Sequence, residues 1–344
     1  MKKLSLLFFA CVIFFISSES FAQQTLVLSN YTFSEHTTLI GTISDREPGS
    51  STNLKLVGPS NSIFRIDKDK KLYIKQGRKD ADALYKDVII EFQTPQGKST
   101  DTIRVVKDQF IRNQVIAHRG AWKQHGTSEN SIAALQYAIK LGCMGSEFDV
   151  HMSADSILVV NHDHIVGQVP IETTSASQLA ELKLSNGENL PTVAAYLKEG
   201  MKQNKTKLIL EIKPSKISKE RSIALARKVV EMVEALKSQG WTDYISFDYD
   251  ICKTIMQLAP YAKVAYLNGD KSPAELANDR LFGLDYNYNV LKKNEQWLEE
   301  ARKHKITVNV WTVNDKETMQ WFLDRKADFI TTNEPELLLG IIQK

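Results

Sequence analysis

Five side chains in the C-terminal part of the chain have the residue types of a hydrolytic metal site: His118, Glu147, Asp149, His162 and Glu211. Three carboxylates in one cavity repel one another unless a cation neutralises them, and oxygen ligands select the hard cations Ca²⁺ and Mg²⁺. Imidazole titrates near neutral pH, so the two histidines can act as general base and general acid. The sequence therefore predicts one divalent cation, Ca²⁺ or Mg²⁺, beside two proton-transferring histidines, and leaves open which histidine is the acid.

Two cationic side chains accompany these residues. Arg119 follows His118 directly, and Lys213 stands two residues after Glu211. Both can hold the charge of a phosphate, and Arg can do so through two parallel hydrogen bonds. A cation that polarises a phosphoryl oxygen, a cationic clamp and two proton carriers together predict a phosphodiester hydrolase. The sequence lacks the phosphate-cradling loop G-x-x-x-x-G-K-[ST], so nucleotide-dependent phosphoryl transfer is not indicated.

The region that carries this chemistry alternates short apolar runs with amphipathic helical stretches, of which 131–140, 220–239, 294–303 and 316–325 are examples. Eight strands alternating with helices are typical of the α/β class, and here of a (β/α)8 TIM barrel. The predicted strands are 115–117, 146–150, 207–212, 244–247, 264–267, 282–285, 306–311 and 328–331. We interpret one further run, 157–160, as an antiparallel hairpin on the second strand, because Ala154-Asp155-Ser156 is too short for a parallel crossover.

This barrel would bring the reactive side chains together. Active sites of such barrels form at the carboxyl ends of the strands. His118 follows the first strand, and Glu147 and Asp149 are two residues apart on the second, so both point to the same side. His162 closes the hairpin, and Glu211 ends the third strand. We therefore expect these residues, with Arg119 and Lys213, at one mouth.

Residues 23–108 have a different pattern, with short alternating segments separated by polar turns at intervals of about 8–12 residues. This pattern predicts an all-β, antiparallel sandwich. Residues 41–45, 64–67 and 72–74 resemble the segments of a cadherin-like repeat. We therefore divide the chain after residue 22 into a cadherin-like domain, 23–108, and a barrel domain, 109–344.

Residues 1–22 have the three parts of a secretory signal peptide: Lys2-Lys3, an apolar run at 6–16 and a small-residue exit at Ala22. The run is shorter than the roughly 20 apolar residues of a transmembrane helix, and no later stretch can span a bilayer. Anchoring through a lipidated Cys11 is the alternative. We expect an exported protein, periplasmic or extracellular, in which Cys143 and Cys252 are buried free thiols.

The overall composition is that of a globular protein. The 344 residues include 44 Lys and Arg against 41 Asp and Glu, for a net charge of +3, and 42% are hydrophobic. These values exclude a disordered chain and a disulfide-dense miniprotein. So small a net charge provides neither an electrostatic footprint for nucleic acid nor a polybasic membrane patch. The expected partner is a small molecule, and the oligomeric state stays open.

Short motifs run in order through the barrel domain, over about two-thirds of the chain: His118-Arg119-Gly120, Ser128-Glu129-Asn130-Ser131, Glu147-Phe148-Asp149-Val150, His162-Asp163, Glu211-Ile212-Lys213-Pro214 and Trp311-Thr312-Val313-Asn314. Together they resemble the glycerophosphodiester phosphodiesterase family. The resemblance implies hydrolysis of glycerophosphodiesters to sn-glycerol 3-phosphate and an alcohol. The implied roles are metal ligands at Glu147, Asp149 and Glu211, catalytic histidines at 118 and 162, phosphate contacts from Arg119 and Lys213, and Trp311 at the substrate mouth.

Two positions depart from the family's pattern. Its Pro-Glu-Asn-Thr segment is residues 128–131 here, a change expected to affect loop rigidity more than catalysis, and the acid often found near the last strand is Asn333. Two other functions stay open, a phospholipase C- or D-like enzyme that acts on intact lipids and a non-catalytic surface binding or adhesion protein. The sequence also leaves open the head-group preference and whether water or the glycerol 2-hydroxyl attacks phosphorus.

Overall fold

The computed structural model describes residues 24–77 and 83–343. The predicted signal peptide, with Cys11, lies outside the described residues. Within the described part, no helix is both long and apolar enough to cross a bilayer.

The N-terminal domain consists of two four-stranded sheets, in the orders β1-β3-β6-β5 and β2-β8-β7-β4. Its elements are β1 Leu26–Leu28, β2 Thr32–Phe33, β3 Leu39–Asp45, β4 Thr52–Leu56, α1 Ser60–Ile63, β5 Phe64–Ile66, β6 Lys71–Ile74, β7 Tyr85–Thr94 and β8 Gly97–Lys107. Alternate residues of β7 are buried, such as Val88, Ile90 and Phe92, and they share one core with Leu28 and Leu72 of the other sheet. The apolar alternation therefore produces the predicted two-layer arrangement.

Among the strands described in this domain, one pair is not antiparallel. β2 pairs with β8 in parallel, with Thr32 opposite Val106. The prediction of a wholly antiparallel sandwich is wrong for this pair. A parallel pair needs a long connection, and here most of the domain lies between the two strands.

The second domain is a closed barrel of eight parallel strands, in the order β9-β10-β14-β15-β16-β17-β18-β19, with β19 pairing back onto β9. Its strands, including those outside the barrel wall, are β9 Val115–Ala117, β10 Gly145–Met152, β11 Leu158–Val160, β12 Ile165–Val166, β13 Val169–Pro170, β14 Lys207–Ile212, β15 Thr242–Ser246, β16 Val264–Tyr266, β17 Gly283–Asn287, β18 Thr307–Trp311 and β19 Phe329–Thr332. The predicted TIM barrel is confirmed. The predicted hairpin on the second barrel strand is also confirmed, because β11 pairs antiparallel with β10.

Helices surround the barrel and pack apolar faces against the strands. They are α2 Ile132–Leu141, α3 Ala176–Leu179, α4 Val193–Gly200, α5 Lys219–Ala235, α6 Tyr249–Leu258, α7 Pro273–Asn278, α8 Tyr288–Lys293, α9 Gln296–His304, α10 Lys316–Asp324 and α11 Pro335–Ile342. The helix predicted at 220–239 begins at Lys219, close to its predicted start, because the Ser218 side chain caps its first turn. It ends at Ala235, before the predicted end. Lys237 has a φ of 57°, which a continuing helix does not tolerate.

The N-terminal domain packs on the amino-terminal end of the barrel strands. Gly240, just before β15, lies against Tyr31 and Val106, where a Cβ atom would come within 2.4 Å of the Val106 side chain. Arg46 forms an ion pair with Glu234 of α5, and both side chains are about nine-tenths buried. Since barrel active sites form at the other end of the strands, this domain lies away from the predicted mouth.

Cys143 and Cys252 are buried free thiols, as predicted.

Candidate active site

A cavity of about 100 Å³ lies at the carboxyl ends of the barrel strands. Seven of the predicted site residues line it: His118, Arg119, Glu147, His162, Glu211, Lys213 and Trp311. The eighth, Asp149, lies beside it, with its Oδ1 2.8 Å from Lys213 Nζ. The barrel thus brings together residues that are spread over almost two hundred positions of the sequence.

Three carboxylates form the centre of the site. Glu147, Asp149 and Glu211 each offer an oxygen within 4.8 Å of the others, and all three residues are buried. Parallel pairing explains the cluster, because Asp149 lies opposite Glu211 in the β10–β14 register and Glu147 is two residues back on the same face.

The protonation of these carboxyls shows why a cation fits here. Burial, and then the charges of Asp149 and Glu211, raise the pKa of Glu147 well above its usual range. Burial and the charge of Asp149 also raise the pKa of Glu211 to about 7. Glu147 Oε1 finds no hydrogen-bond partner among the residues that the structure describes. A hard divalent cation accepts such oxygens as ligands and keeps all three carboxyls ionised, so the residues present fit one.

Lys213 lies among the acids. Its Nζ is 2.8 Å from Asp149 Oδ1 and 2.7 Å from Glu211 Oε1, and these carboxylates raise its pKa against the opposing effect of burial. Burial alone would raise the pKa of Asp149, but the charges of Lys213 and His162 outweigh it and lower the value to about 2. Asp149 and Lys213 are therefore charged at neutral pH, and the ammonium remains at the cavity wall where an anion can approach it.

Arg119 is held by a tight turn. It has a φ of 59°, and Gly120 follows with a φ of 80° and so close to Ala134 that a Cβ atom there would lie 2.6 Å from the Ala134 Cβ. The Arg119 backbone N–H donates to Glu147 Oε2 at 2.7 Å, and its Nη1 donates to both Glu129 oxygens. The turn thereby places Arg119 at the cavity wall with its guanidinium paired to Glu129.

Asn130 supports the acid cluster, a role that the sequence analysis missed. Its amide nitrogen donates to Asp149 Oδ2 at 2.8 Å, and its amide oxygen accepts from the Asp149 backbone N–H at 3.0 Å. Asn130 was noted only as part of a motif, since the sequence does not show that the loop before α2 reaches β10. The two bonds fix one carboxylate oxygen while leaving the other facing Lys213.

His118 is half-buried and is neutral at physiological pH. Burial, together with the Arg119 charge, lowers its pKa to about 4. Its Nδ1 lies 2.7 Å from Asn333 Oδ1. Because an amide oxygen only accepts hydrogen bonds, this contact assigns the proton to Nδ1 and leaves Nε2 with a free lone pair. Asn333, noted in the sequence as a departure from the family's pattern, therefore sets the tautomer of His118.

His162 lies in the turn that follows the hairpin. Its Nδ1 is 2.8 Å from the Asp163 carboxylate, and about a third of its side chain is exposed. His151, on the inner face of β10, contacts the backbone oxygen of His162 through Nε2 at 3.1 Å. The segment that carries His162 is thus tied to the same strand as the acids.

An aromatic and apolar wall faces the acids. Trp311 packs edge-on against Phe247, with ring centroids 5.4 Å apart, and its Nε1 donates to the Asp285 backbone oxygen at 2.8 Å. Leu267 continues this wall. The Asp285 carboxyl also lines the cavity, and burial, with a smaller effect of Glu211, raises its pKa to about 8. No local pattern in the sequence indicates a role for Asp285.

An eight-stranded barrel with carboxylates, histidines and cations around one mouth defines the class of TIM-barrel phosphodiesterases. The model of the glycerophosphoryl diester phosphodiesterase family matches residues 118–337, which is more than half of the chain. The chain belongs to this family, and the resemblance seen in its motifs is confirmed.

Individual relatives agree with this result. The glycerophosphodiester phosphodiesterase of Caldanaerobacter subterraneus subsp. tengcongensis is 27% identical over 255 residues, which are 68% of this chain and 99% of the relative. A crystal structure of a glycerophosphodiester phosphodiesterase from Parabacteroides distasonis is 43% identical, with a TM-score of 0.66 over 68% of this chain and 98% of that one. An Oleispira antarctica phosphodiesterase, solved with the product sn-glycerol-3-phosphate, shares the fold at 24% identity and a TM-score of 0.58, covering 67% and 97% of the two chains.

Proposed function

We propose that this chain hydrolyses glycerophosphodiesters to sn-glycerol 3-phosphate and an alcohol, using one divalent cation and two histidines. The observation that carries the proposal is the single cavity in which three buried carboxylates meet His118, His162 and Arg119. Family membership supports the substrate class. The product held by the Oleispira antarctica relative is the one that this reaction releases.

Glu147, Asp149 and Glu211 would hold the cation, and their all-oxygen ligand set favours Ca²⁺ or Mg²⁺. When bound, such an ion polarises a phosphoryl oxygen and neutralises charge that develops on it. Asn130 orients Asp149 for this task, and the Arg119 backbone N–H orients Glu147.

Arg119 and Lys213 bind the phosphodiester. Arg119 Nη1 is occupied by Glu129, whereas Nε has no hydrogen-bond partner in the part of the chain that the structure describes. Nε lies 3.8 Å from Asp149 Oδ2, beyond hydrogen-bond distance, so its N–H can still donate to a phosphate oxygen. Lys213 adds a second positive charge next to the carboxylates. Arg119 follows β9 and Lys213 follows β14, so the two cations contact the phosphate from the ends of different strands.

His118 acts as the general base. It is neutral at physiological pH, and Nε2 holds the lone pair that accepts the proton of the attacking oxygen. His162 acts as the general acid. Asp163 accepts a hydrogen bond from its Nδ1, so the proton on Nε2 is the one delivered to the leaving alkoxide. Either water or the glycerol 2-hydroxyl can supply the attacking oxygen, and only the second route produces a cyclic phosphate.

The proposed function is tested by identifying the phosphates that the protein releases from each substrate. The protein is incubated with glycerophosphocholine, glycerophosphoethanolamine and phosphatidylcholine vesicles, with Ca²⁺ or Mg²⁺ supplied, and the released phosphates are identified by ³¹P NMR. We expect sn-glycerol 3-phosphate from the first two substrates. His118→Ala should abolish its release, whereas His125→Ala should not, because His125 stacks on Tyr137 outside the cavity. Release of phosphocholine or phosphatidate from vesicles alone would support a phospholipase instead, and no product from any substrate would refute the proposal.

We also propose that the protein is exported. This proposal depends on the charged start, apolar run and small-residue exit of residues 1–22. N-terminal sequencing of the protein recovered from outside the cytoplasm should begin at Gln23. Recovery of the intact N-terminus would contradict it.

A further inference from the structure

Asp285 is a buried carboxyl that the proposed reaction does not use. It is 1% exposed, and its Oδ1 has no hydrogen-bond partner among the residues that the structure describes. Asn309 lies opposite Asp285 in the β17–β18 register, and its amide nitrogen donates to Thr331 Oγ1 at 3.1 Å. A buried polar atom left without a partner costs free energy, so its place in a binding cavity points to a ligand.

The position of Asp285 follows from the order of the barrel strands. It lies on β17, and the acids Glu147 and Asp149 lie on β10. In the closed order of eight strands, β17 and β10 are four strands apart in both directions. Asp285 therefore lies across the barrel from Glu147 and Asp149, and both Glu147 and Asp285 line the cavity between these strands.

Three large apolar side chains lie on the same side of the cavity as Asp285. Phe247, Leu267 and Trp311 form this side of the cavity. Such a wall suits the carbon chain of a small alcohol, and a single carboxyl in it provides directional recognition of a hydroxyl. An ionised carboxyl accepts a hydrogen bond from the hydroxyl and a neutral one can also donate one, so this contact does not depend on the charge of Asp285.

We propose that Asp285 binds the terminal hydroxyl of the substrate's glycerol group and is a specificity-determining residue. This inference rests on the proposed function. The 2-hydroxyl is on the carbon next to the esterified one and so stays near the phosphate, which Arg119 and Lys213 hold beside the acids. The terminal hydroxyl is at the far end of the glycerol chain and reaches the opposite wall, where Asp285 Oδ1 lies.

The test compares two ligands that differ only in this hydroxyl. sn-Glycerol 3-phosphate and the matching phosphate of propane-1,2-diol, which lacks the terminal hydroxyl but keeps the 2-hydroxyl, are titrated into the full chain by calorimetry in the presence of the divalent cation. The native protein should bind glycerol 3-phosphate about ten- to a hundredfold more tightly, the effect of one hydrogen bond to a carboxyl. Asp285→Leu should reduce the preference to about threefold or less, mainly by weakening glycerol 3-phosphate.

Two controls distinguish a lost contact with the hydroxyl from a general disturbance of the site in Asp285→Leu. Asp285→Asn preserves the shape and the hydrogen-bonding capacity, so it should retain most of the preference. Thermal unfolding should show that both variants fold, since removing a partly unsatisfied buried carboxyl does not remove a stabilising contact. An unchanged preference in Asp285→Leu, or equal affinity of the native protein for both ligands, would overturn the proposal. Failure of the proposed function would instead appear as no hydrolysis of glycerophosphocholine by the native protein, which the binding measurement does not require.

Discussion

The two histidines of the cavity differ in the group that holds Nδ1. His118 faces the neutral amide oxygen of Asn333, whereas His162 faces the Asp163 carboxylate. A neutral partner fixes the tautomer without favouring the imidazolium, and so the base can remain unprotonated in a half-buried position. The assignment of base and acid in the proposed mechanism depends on this difference.

Replacing Asn333 tests the assignment of His118 as the base. Asn333→Asp places a negative charge 2.7 Å from the imidazole, where it stabilises the protonated form and should raise the His118 pKa by about 1–3 units. Because the protonated ring cannot accept a proton, the acid limb of the kcat/KM profile should move to higher pH by a similar amount. Activity near pH 5 should fall more than activity near pH 8.

Asn278→Asp, at an exposed position on α7, is the matched control and should leave the profile unchanged. An acid limb that stays in place or moves to lower pH in Asn333→Asp would show that His118 is not the base.

At the scale of elements, the strand β10 organises most of the site. Glu147, Asp149 and His151 lie two residues apart on its inner face, so one strand carries two acids and the group that contacts the His162 backbone. The hairpin partner β11 then brings His162 back to the mouth. A shift in the position of this hairpin should therefore affect chemistry more than substrate binding.

Substituting His151 tests this coupling. His151→Phe keeps an aromatic ring in the buried position but removes the donor to the His162 oxygen. A small displacement of a catalytic group can cost up to about a hundredfold in rate, so we expect kcat to fall by about ten- to a hundredfold with little change in KM. Steady-state kinetics on glycerophosphocholine measure both constants.

His151→Gln restores a donor and should recover most of the lost kcat. Equal loss in both variants, or a change confined to KM, would mean that His151 only fills space.

The elements were more predictable from sequence than the contacts between them. Apolar periodicity identified the eight strands and the hairpin, because each pattern is local to a few residues. Spacing placed Glu147 and Asp149 on one face for the same reason. Asn130 and Asn333 were seen only as parts of motifs, and Asp285 not at all as a site residue, because their partners lie on other strands. The parallel β2–β8 pair was missed for the same reason, since strand order is a long-range property.

At the scale of the whole molecule, the two domains meet at the end of the barrel opposite the cavity. Arg46 and Glu234 form an ion pair across this contact, and Arg46 also donates to the Leu258 backbone oxygen. Burial raises the Glu234 pKa, with Arg46 opposing the shift. The contact should therefore matter for stability and not for the reaction.

Removing one partner of the Arg46–Glu234 ion pair tests whether this contact stabilises the fold without affecting the reaction. Arg46→Ala leaves the Glu234 carboxylate buried without its partner and should lower the free energy of unfolding by about 3–5 kcal/mol, measured by urea denaturation. The kcat and KM of the folded variant should match those of the native protein. The double variant Arg46→Met, Glu234→Leu removes both charges and should regain most of the stability. Loss of activity in the folded single variant would show that the N-terminal domain communicates with the cavity.

The proposed reaction is tested most sharply by the dependence of hydrolysis on the divalent cation. The protein is treated with chelator, and the release of sn-glycerol 3-phosphate from glycerophosphocholine is measured as Mg²⁺ or Ca²⁺ is added back. We expect no release without the cation, full recovery with it, and a strongly reduced or absent response in Glu211→Gln, which keeps the size of the side chain but removes a ligand charge. Hydrolysis that continues undiminished in excess chelator, or that Glu211→Gln leaves unaltered, would contradict it.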